Sequence, residues 1–337
     1  MKIIQILPEL DIGGVERHVI DLSNELAERG HDILVVSNGG QMQHQLSSKV
    51  QHRKLPVHKK NPFTAYICSR RITTWIKNEG WKLIHAHSRV PAWIAWFSSR
   101  SARVPWIYTA HACYSLNYGL TPLKHANAVI CVSETVQEHI KDFLPVNNAV
   151  IPIALTVPEV KWDHNIGENI KFIFVGRLTK IKGLGTVIEA LGKLTNENWT
   201  LDVLGDGPER EILEDRSAVL GLQDKITFHG YIAETDTFMS RSSCLLFPSY
   251  IEGYGLVLAR AIQIGLPVIA SNIPAVLEMA GSKKGLVVPG DVQGWCSAIF
   301  DFISTGRAAA QIPVSSIPTL KRMVDSNELI YLDLVRK

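Results

Sequence analysis

Short, continuously apolar runs separated by helical segments recur along the whole chain, and they confine it to one class of fold. In the first half "KIIQIL", "HDILVVS", "KLIHAH", "WIYTAH" and "AVICVS" have the pattern of strands buried on both faces. Between the first two, Val15, Val19, Leu22 and Leu26 recur at helical spacing, and Gly30 supplies a stop. "SRVPAWIAWFSSR" offers Ser88 as a cap, with Pro91 near the first turn. Strand and helix alternate, which predicts a parallel sheet covered by helices on both faces.

The alternation breaks once and restarts. Residues 152–169 are polar, proline-bearing and aperiodic, as a linker is. Beyond them "KFIFVG", "TLDVLGD", "ITFHGY", "CLLFPS", "PVIAS" and "GLVVP" are strand candidates. A chain of 337 residues suits two domains of about 150 residues each. The expected division is an N-terminal domain over 1–155, a linker over 156–168, a C-terminal domain over 169–322, and a short helix over 323–337 that returns to the first domain. Both domains are read as α/β and doubly wound, and ligands of such sheets sit outside the carboxyl ends of the strands. A cleft between the two domains is the expected site.

Composition removes several alternatives. No run of about 18 uncharged apolar residues occurs, and Met1-Lys2 leads straight into "IIQIL" without a signal-peptide layout, so a cytoplasmic protein is expected. Cys68, Cys113, Cys131, Cys244 and Cys296 are far apart and lack CxxC spacing, which argues against disulfides and zinc. Residues 1–150 carry 17 Lys+Arg against 11 Asp+Glu. The excess is concentrated between Lys49 and Lys82, where Glu79 is the one acidic residue. That run is either a solvated face or a surface for something anionic. It lacks the stacking aromatics of a nucleic-acid binder, so no nucleic-acid partner is expected.

Four motifs fall at strand ends. Gly13-Gly14 follows the first strand and opens the first helix, where free amides and the helix dipole favour an anion. In "VGRLTKIKG", Arg177 and Lys182 are two cations able to clamp a diphosphate, the first through its planar fork and the second as a point charge. "LGDGPERE" adds a glycine-rich turn at Gly205 and Asp206. In "YIEGYGLVLARAIQIGLPVIAS", Glu252 precedes Gly253, Tyr254, Gly255 and Leu256 at a helix start.

These motifs, in this order, resemble the retaining glycosyltransferases of family 4, which have the GT-B fold. The resemblance runs from "GGVERH" through "GRLTKIKG", "LGDGPERE" and "FHGYI" to "FPSYIEGYGLVLARA", "GLPVIAS" and "GLVVPGD". "HAHSRVPAW", "YTAHACYS" and "CVSE" look like the subgroup that builds bacterial lipopolysaccharide and related surface glycans. The resemblance implies two Rossmann-like domains facing across a cleft. It also implies sugar transfer from a nucleotide diphosphate to a lipid-linked or glycan acceptor, with retention and with neither metal nor cofactor. Gly13 and Gly14 would face the donor diphosphate, Arg177 and Lys182 would neutralise it as it leaves, and His111 would lie beside the donor sugar. Glu252 would hold sugar hydroxyls, the amides of Gly255, Leu256 and Val257 would approach sugar and phosphates, and Gly205, Asp206, Tyr231 and Ile232 would lie at the nucleoside. The family's acceptors bind the first domain, so the basic stretch 49–82 is a candidate contact with an anionic inner membrane, worth about 1 kcal/mol per basic residue. Trp75, Trp81, Trp93, Trp96 and Trp106 concentrate in the same domain, where most are read as core.

Arg260 departs from the pattern. It occupies the second glutamate of the family's E-x7-E motif, whose carboxylate accepts bonds from ribose hydroxyls, and arginine has no acceptor. Each lost bond to a charged acceptor costs about 1.5–3 kcal/mol. Either Arg260 binds the nucleoside end in another way, or the chain is a weak or inactive binding subunit, or it carries a related activity such as sugar-nucleotide epimerisation.

Overall fold

The computed structural model describes residues 1–163 and 169–336. They form two compact units, one of residues 1–156 with 318–337 and one of residues 157–317. Residues 164–168, in the expected linker, lie outside the described residues.

The first unit begins with β1 (Lys2–Ile6), α1 (Gly14–Glu28), β2 (Asp32–Ser37), β3 (Val50–Lys54), α2 (Pro62–Glu79) and β4 (Leu83–His87). It continues through α3 (Arg89–Ala102), β5 (Trp106–Ala110), β6 (Ala128–Cys131), α4 (Glu134–His139) and β7 (Asn148–Val150). The sheet order is β3-β2-β1-β4-β5-β6-β7 and every pairing is parallel. β1, β4 and β5 are buried almost throughout, as uninterrupted apolar runs require. β3 and β7 are sheet edges, "VQHRK" mostly polar and "NAV" only three residues long, and neither stood out among the apolar runs. Ser88 does precede α3, but it sits at φ 85° and its side chain makes no capping bond.

The second unit contains β8 (Ile170–Val175), α5 (Leu184–Leu191), β9 (Trp199–Leu204), α6 (Arg210–Val219), β10 (Ile226–Gly230) and α7 (Thr235–Ser240). β11 (Cys244–Phe247), α8 (Leu256–Ile264), β12 (Val268–Ala270), α9 (Pro274–Ala280) and α10 (Val292–Thr305) complete it. Its parallel sheet runs β10-β9-β8-β11-β12 around a core that includes Phe172, Trp199, Trp295 and Phe302. "GLVVP" is not a strand: it contributes one bridge, Ser271 with Val287. Residues before β8 are tied to this unit, since Trp162 N donates to the Ile264 carbonyl (2.9 Å) and its indole Nε1 to the Ser242 carbonyl (2.8 Å).

The last helix, α11 (Leu320–Arg336), is longer than its sequence pattern suggested and belongs to the first unit. Met323, Val324 and Tyr331 enter the same core as Ile3, Val19 and Leu26. Arg29, at the end of α1, clips it in place through Asp325 (2.7 Å) and Glu328 (2.8 Å).

Both sheets reverse their winding once, between β1 and β4 and between β8 and β11. At such a switch point the flanking connections leave to opposite sides, opening a crevice at the carboxyl ends. Gly13 and Gly14 follow β1, and His87 ends β4. Arg177 and Lys182 follow β8, and Glu252 follows β11.

Candidate functional site

In the second unit the strand ends are lined with glycine because backbone must pass close to backbone. Gly205 holds φ 141°, and a Cβ there would collide with the Gly176 carbonyl, while its N–H donates to the Gly230 carbonyl at 2.7 Å. Gly205→Ala is therefore expected to cost about 3 kcal/mol from strain and overlap, readable as a lowered urea midpoint; an unchanged midpoint would mean that the turn relaxes freely.

Beside these glycines stand the charges. Lys182 Nζ donates to Glu252 Oε1 at 2.6 Å, and Ser249 Oγ donates to the same oxygen at 2.7 Å. The pair is mostly buried, at 26% and 11% side-chain exposure, so each ion fixes the other where water is scarce. Arg177 is exposed and makes no ion pair among the described residues. α8 opens at Gly255 (φ 93°) without a side-chain cap, leaving the first-turn amides of Leu256 and Val257 for another acceptor. Asp206 is exposed, accepts from the Gly207 N–H and pairs with Arg210 (3.2 Å); Tyr231 is half exposed. A hollow of about 590 Å3 in this unit, lined by Thr179, Ile181, Glu189, Arg216 and Tyr250 among others, does not include these groups.

Arg260 is not a stray charge in an apolar run. It projects from α8 toward α7, its Nε 3.5 Å from Asp236 Oδ1, and its Nη1 donates to Gln263 Oε1 at 3.3 Å. Asp236 was invisible as a partner in the sequence, lying 24 residues earlier on another helix.

In the first unit β-sheet register assembles a second cluster. Gln5 of β1 sits opposite His85 of β4, and His87 sits opposite Thr109 of β5. With a two-residue side-chain period, all four project from one sheet face. His111 follows two residues after Thr109, and α1 and α11 bring His18 and Tyr331 to the same face. His87 Nε2 meets Gln5 Oε1 at 2.8 Å, and His87 Nδ1 meets His111 Nε2 at 3.0 Å. His85 bridges Tyr331 Oη (2.6 Å) and Thr109 Oγ1 (2.7 Å). These bonds fix the proton positions, because a glutamine oxygen only accepts. His87 carries its proton on Nε2, and its Nδ1 accepts from His111. Among the described residues, His111 Nδ1 and both ring nitrogens of His18 have no hydrogen-bond partner.

Burial is the leading cause of every shift in this cluster. It pushes His18 down to about 4 and holds His85, His87 and His111 well below the ordinary histidine range, with neighbouring imidazoles adding to the effect for the last three. All four rings are neutral at neutral pH. Of this cluster only His111 was singled out from sequence; the H-x-H of "HAH" is the signal that two of the others share a face.

Gly13 and Gly14 do open α1, but the Glu16 carboxyl lies against Gly13. Burial raises its pKa, and the nearby Asp11 and Glu9 carboxylates add to the shift. The expected basic surface is partly spent internally. Arg53 forks onto Glu79 (2.7 and 2.9 Å) and Lys49 pairs with Glu28 (2.5 Å). Lys59, Lys60, Arg70 and Arg71 remain exposed beside exposed Phe63, Tyr66 and Ile67. Trp81 and Trp106 are core, as read, while Trp75, Trp93 and Trp96 are partly exposed. Cys113 is partly buried, the other four cysteines are buried, and all five are free thiols.

The pattern of the Glycosyltransferase Family 4 family matches residues 12–154, and that of Glycosyl transferases group 1 matches residues 157–312. The chain belongs to the group 1, family 4 glycosyltransferases. As a glycosyltransferase it is 26% identical to TuaC of Bacillus subtilis, named for teichuronic acid biosynthesis, over 241 residues, 64% of this chain and 60% of that one. It is 36% identical over 102 residues to the O-antigen biosynthesis glycosyltransferase WclY of Escherichia coli, 30% of this chain and 28% of that one. These matches span less than two thirds of either relative. Anabaena Alr3699/HepE, solved in complex with UDP and glucose, superposes with a TM-score of 0.84 at 20% identity over 99% of this glycosyltransferase and 100% of that chain. A likeness at that identity concerns the fold, which is GT-B. Among the described residues no helix is long and apolar enough to cross a membrane.

Proposed function

We propose that this glycosyltransferase moves a sugar, with retention of anomeric configuration and without a metal or other cofactor, from a nucleotide diphosphate to a glycolipid or polysaccharide acceptor of the bacterial cell envelope. The observation that carries the reading is the strand-end group of the second unit: exposed Arg177, which makes no ion pair among the described residues, and the Lys182–Glu252 pair beside uncapped α8 amides. Two cations at one strand end meet charge as it grows on the leaving diphosphate, the part a divalent ion would otherwise play. Glu252 then accepts from hydroxyls of the donor sugar. Tyr231, Ile232, Gly205 and Asp206 serve the nucleoside end.

Arg260 belongs to this arrangement as an adapted contact. Its guanidinium is matched by Asp236, so the nucleoside end keeps a carboxylate, carried by α7 instead of α8. That pairing supports an active enzyme over an inert binding subunit. Arg260→Glu sets two carboxylates against each other and is expected to weaken donor binding tenfold or more, measured by calorimetry; a tenfold gain would make the arginine a lesion.

For the acceptor, exposed Phe63, Tyr66 and Ile67 among Lys59, Lys60, Arg70 and Arg71 suit a peripheral contact with an anionic cytoplasmic leaflet. The relatives named for teichuronic acid and O-antigen synthesis point the same way. The test is a panel of UDP-, GDP- and ADP-sugars, with UDP-glucose first because the structural neighbour was solved with UDP and glucose. Saturable binding of one donor and a product of unchanged anomeric configuration by NMR support the reading; binding of none of them, or inversion, overturns it.

A further inference from the structure

We propose that His18, His87 and His111 form a site for a transition-metal ion of the zinc class. One nitrogen from each ring lies within 4.8 Å of the other two. The ring centroids make a nearly equilateral triangle of 5.1, 5.3 and 5.7 Å. Three imidazoles held tetrahedrally at about 2.0–2.1 Å from one ion stand about 5 Å apart, centroid to centroid. Two hydrogen-bonding rings of a neutral pair need no third ring facing both at that distance. His18 nevertheless faces both of them edge-on, buried to 3% exposure, with neither of its nitrogens bonded among the described residues.

The surroundings are those of a ligand set. A metal-binding histidine typically donates its other ring N–H to a fixed acceptor, which sets the tautomer. His87 does this toward Gln5 Oε1 at 2.8 Å, leaving Nδ1 for the ion. Gln5 is in turn held at 3.5 Å from Tyr331 Oη, which bonds His85 at 2.6 Å. On binding, the proton shared between His87 Nδ1 and His111 Nε2 moves to His111 Nδ1, and the ion takes its place. An all-imidazole set without carboxylate selects zinc, cobalt, nickel or copper over magnesium and calcium. Three protein ligands leave a fourth position open, and His111, at 8% exposure the most accessible of the three, marks the way in. The site stands on geometry alone and lies wholly within the first unit, apart from the donor groups of the second.

Cobalt is the probe, added to full-length protein freed of metal by a chelator that is then removed. One Co2+ per chain is expected, with the visible absorption of a four-coordinate nitrogen-rich centre, displaced by one equivalent of Zn2+. His18→Leu should lower that affinity at least tenfold while leaving the fold intact, because His18 makes no bond whose loss would strand a partner. Gln5→Leu should lower it tenfold to a hundredfold. His44→Ala, at an exposed histidine, should leave it unchanged. No saturable Co2+ binding, or equal binding by wild type and His18→Leu, overturns the proposal. Donor binding, measured with chelator present, is a separate reading, so failure of the metal site and failure of the transferase mechanism are distinguishable.

Discussion

Lys182→Ala is expected to cut the rate of sugar transfer by about 10²–10³-fold, the loss typical of removing one preorganised partner of transition-state charge. The lysine is held by a 2.6 Å bond to Glu252, with the two side chains 26% and 11% exposed, so its charge acts where little water screens it. Charge on the leaving diphosphate grows in the transition state, so kcat should fall more than KM rises. Arg177→Ala should lower kcat in the same direction. Lys180→Ala, exposed two residues away, is the control for a general change in charge and should leave the rate within twofold. Initial rates with the donor that binds best would check this. If Lys182→Ala keeps a third or more of the wild-type kcat, Lys182 is a structural partner of Glu252 and does not assist the leaving group.

Uninterrupted apolar runs gave away β1, β4, β5 and β8 because a strand buried on both faces has no polar side to display. β3 stayed hidden for the converse reason, since at a sheet edge "VQHRK" needs no apolar face, and β7 because "NAV" is only three residues long. "GLVVP" misled because a short apolar segment packed as a loop looks like a strand until its pairing is known. The site divides in the same way. Residues carried on one contiguous motif, such as Arg177 with Lys182 or Glu252 with Gly255, could be read locally. Contacts between distant segments could not: His85 meets Tyr331 across 246 residues, and Asp236 reaches Arg260 from the preceding helix. Arg260 therefore looked like an intruder from sequence, and its meaning changed once the acid beside it was in view.

Acidification is expected to unfold the first unit steeply below pH about 6.5, the unfolded histidine value. His18 is shifted down to about 4 by burial, and His85, His87 and His111 are lowered well below the ordinary value. Between the folded and unfolded pKa values the unfolded chain binds protons that the folded unit refuses, so stability is full above pH about 6.5 and falls as pH falls, by about 1.4 kcal/mol per pH unit for each such histidine. Four of them set an upper slope of about 5 kcal/mol per pH unit, enough to exhaust a domain's stability of about 5–15 kcal/mol within a few pH units. The groups facing the cluster do not relieve it: Gln5, Thr109 and Tyr331 are neutral, and burial raises the Tyr331 pKa further. Hydrogen exchange at stepped pH, with a chelator present, should show β1, β4 and β5 losing protection while β8 and β9 of the second unit keep theirs. His18→Leu removes one of the four protons taken up and strands no hydrogen-bond partner, so it should flatten the slope by about a quarter and raise stability at pH 6. Tyr331→Phe should act oppositely, leaving His85 without its 2.6 Å partner at a cost of about 1–3 kcal/mol. Protection of β1 and β4 that stays constant from pH 7 to 5 would show that the buried rings take up protons without unfolding, and the neutral, tautomer-fixed cluster would not describe the protein.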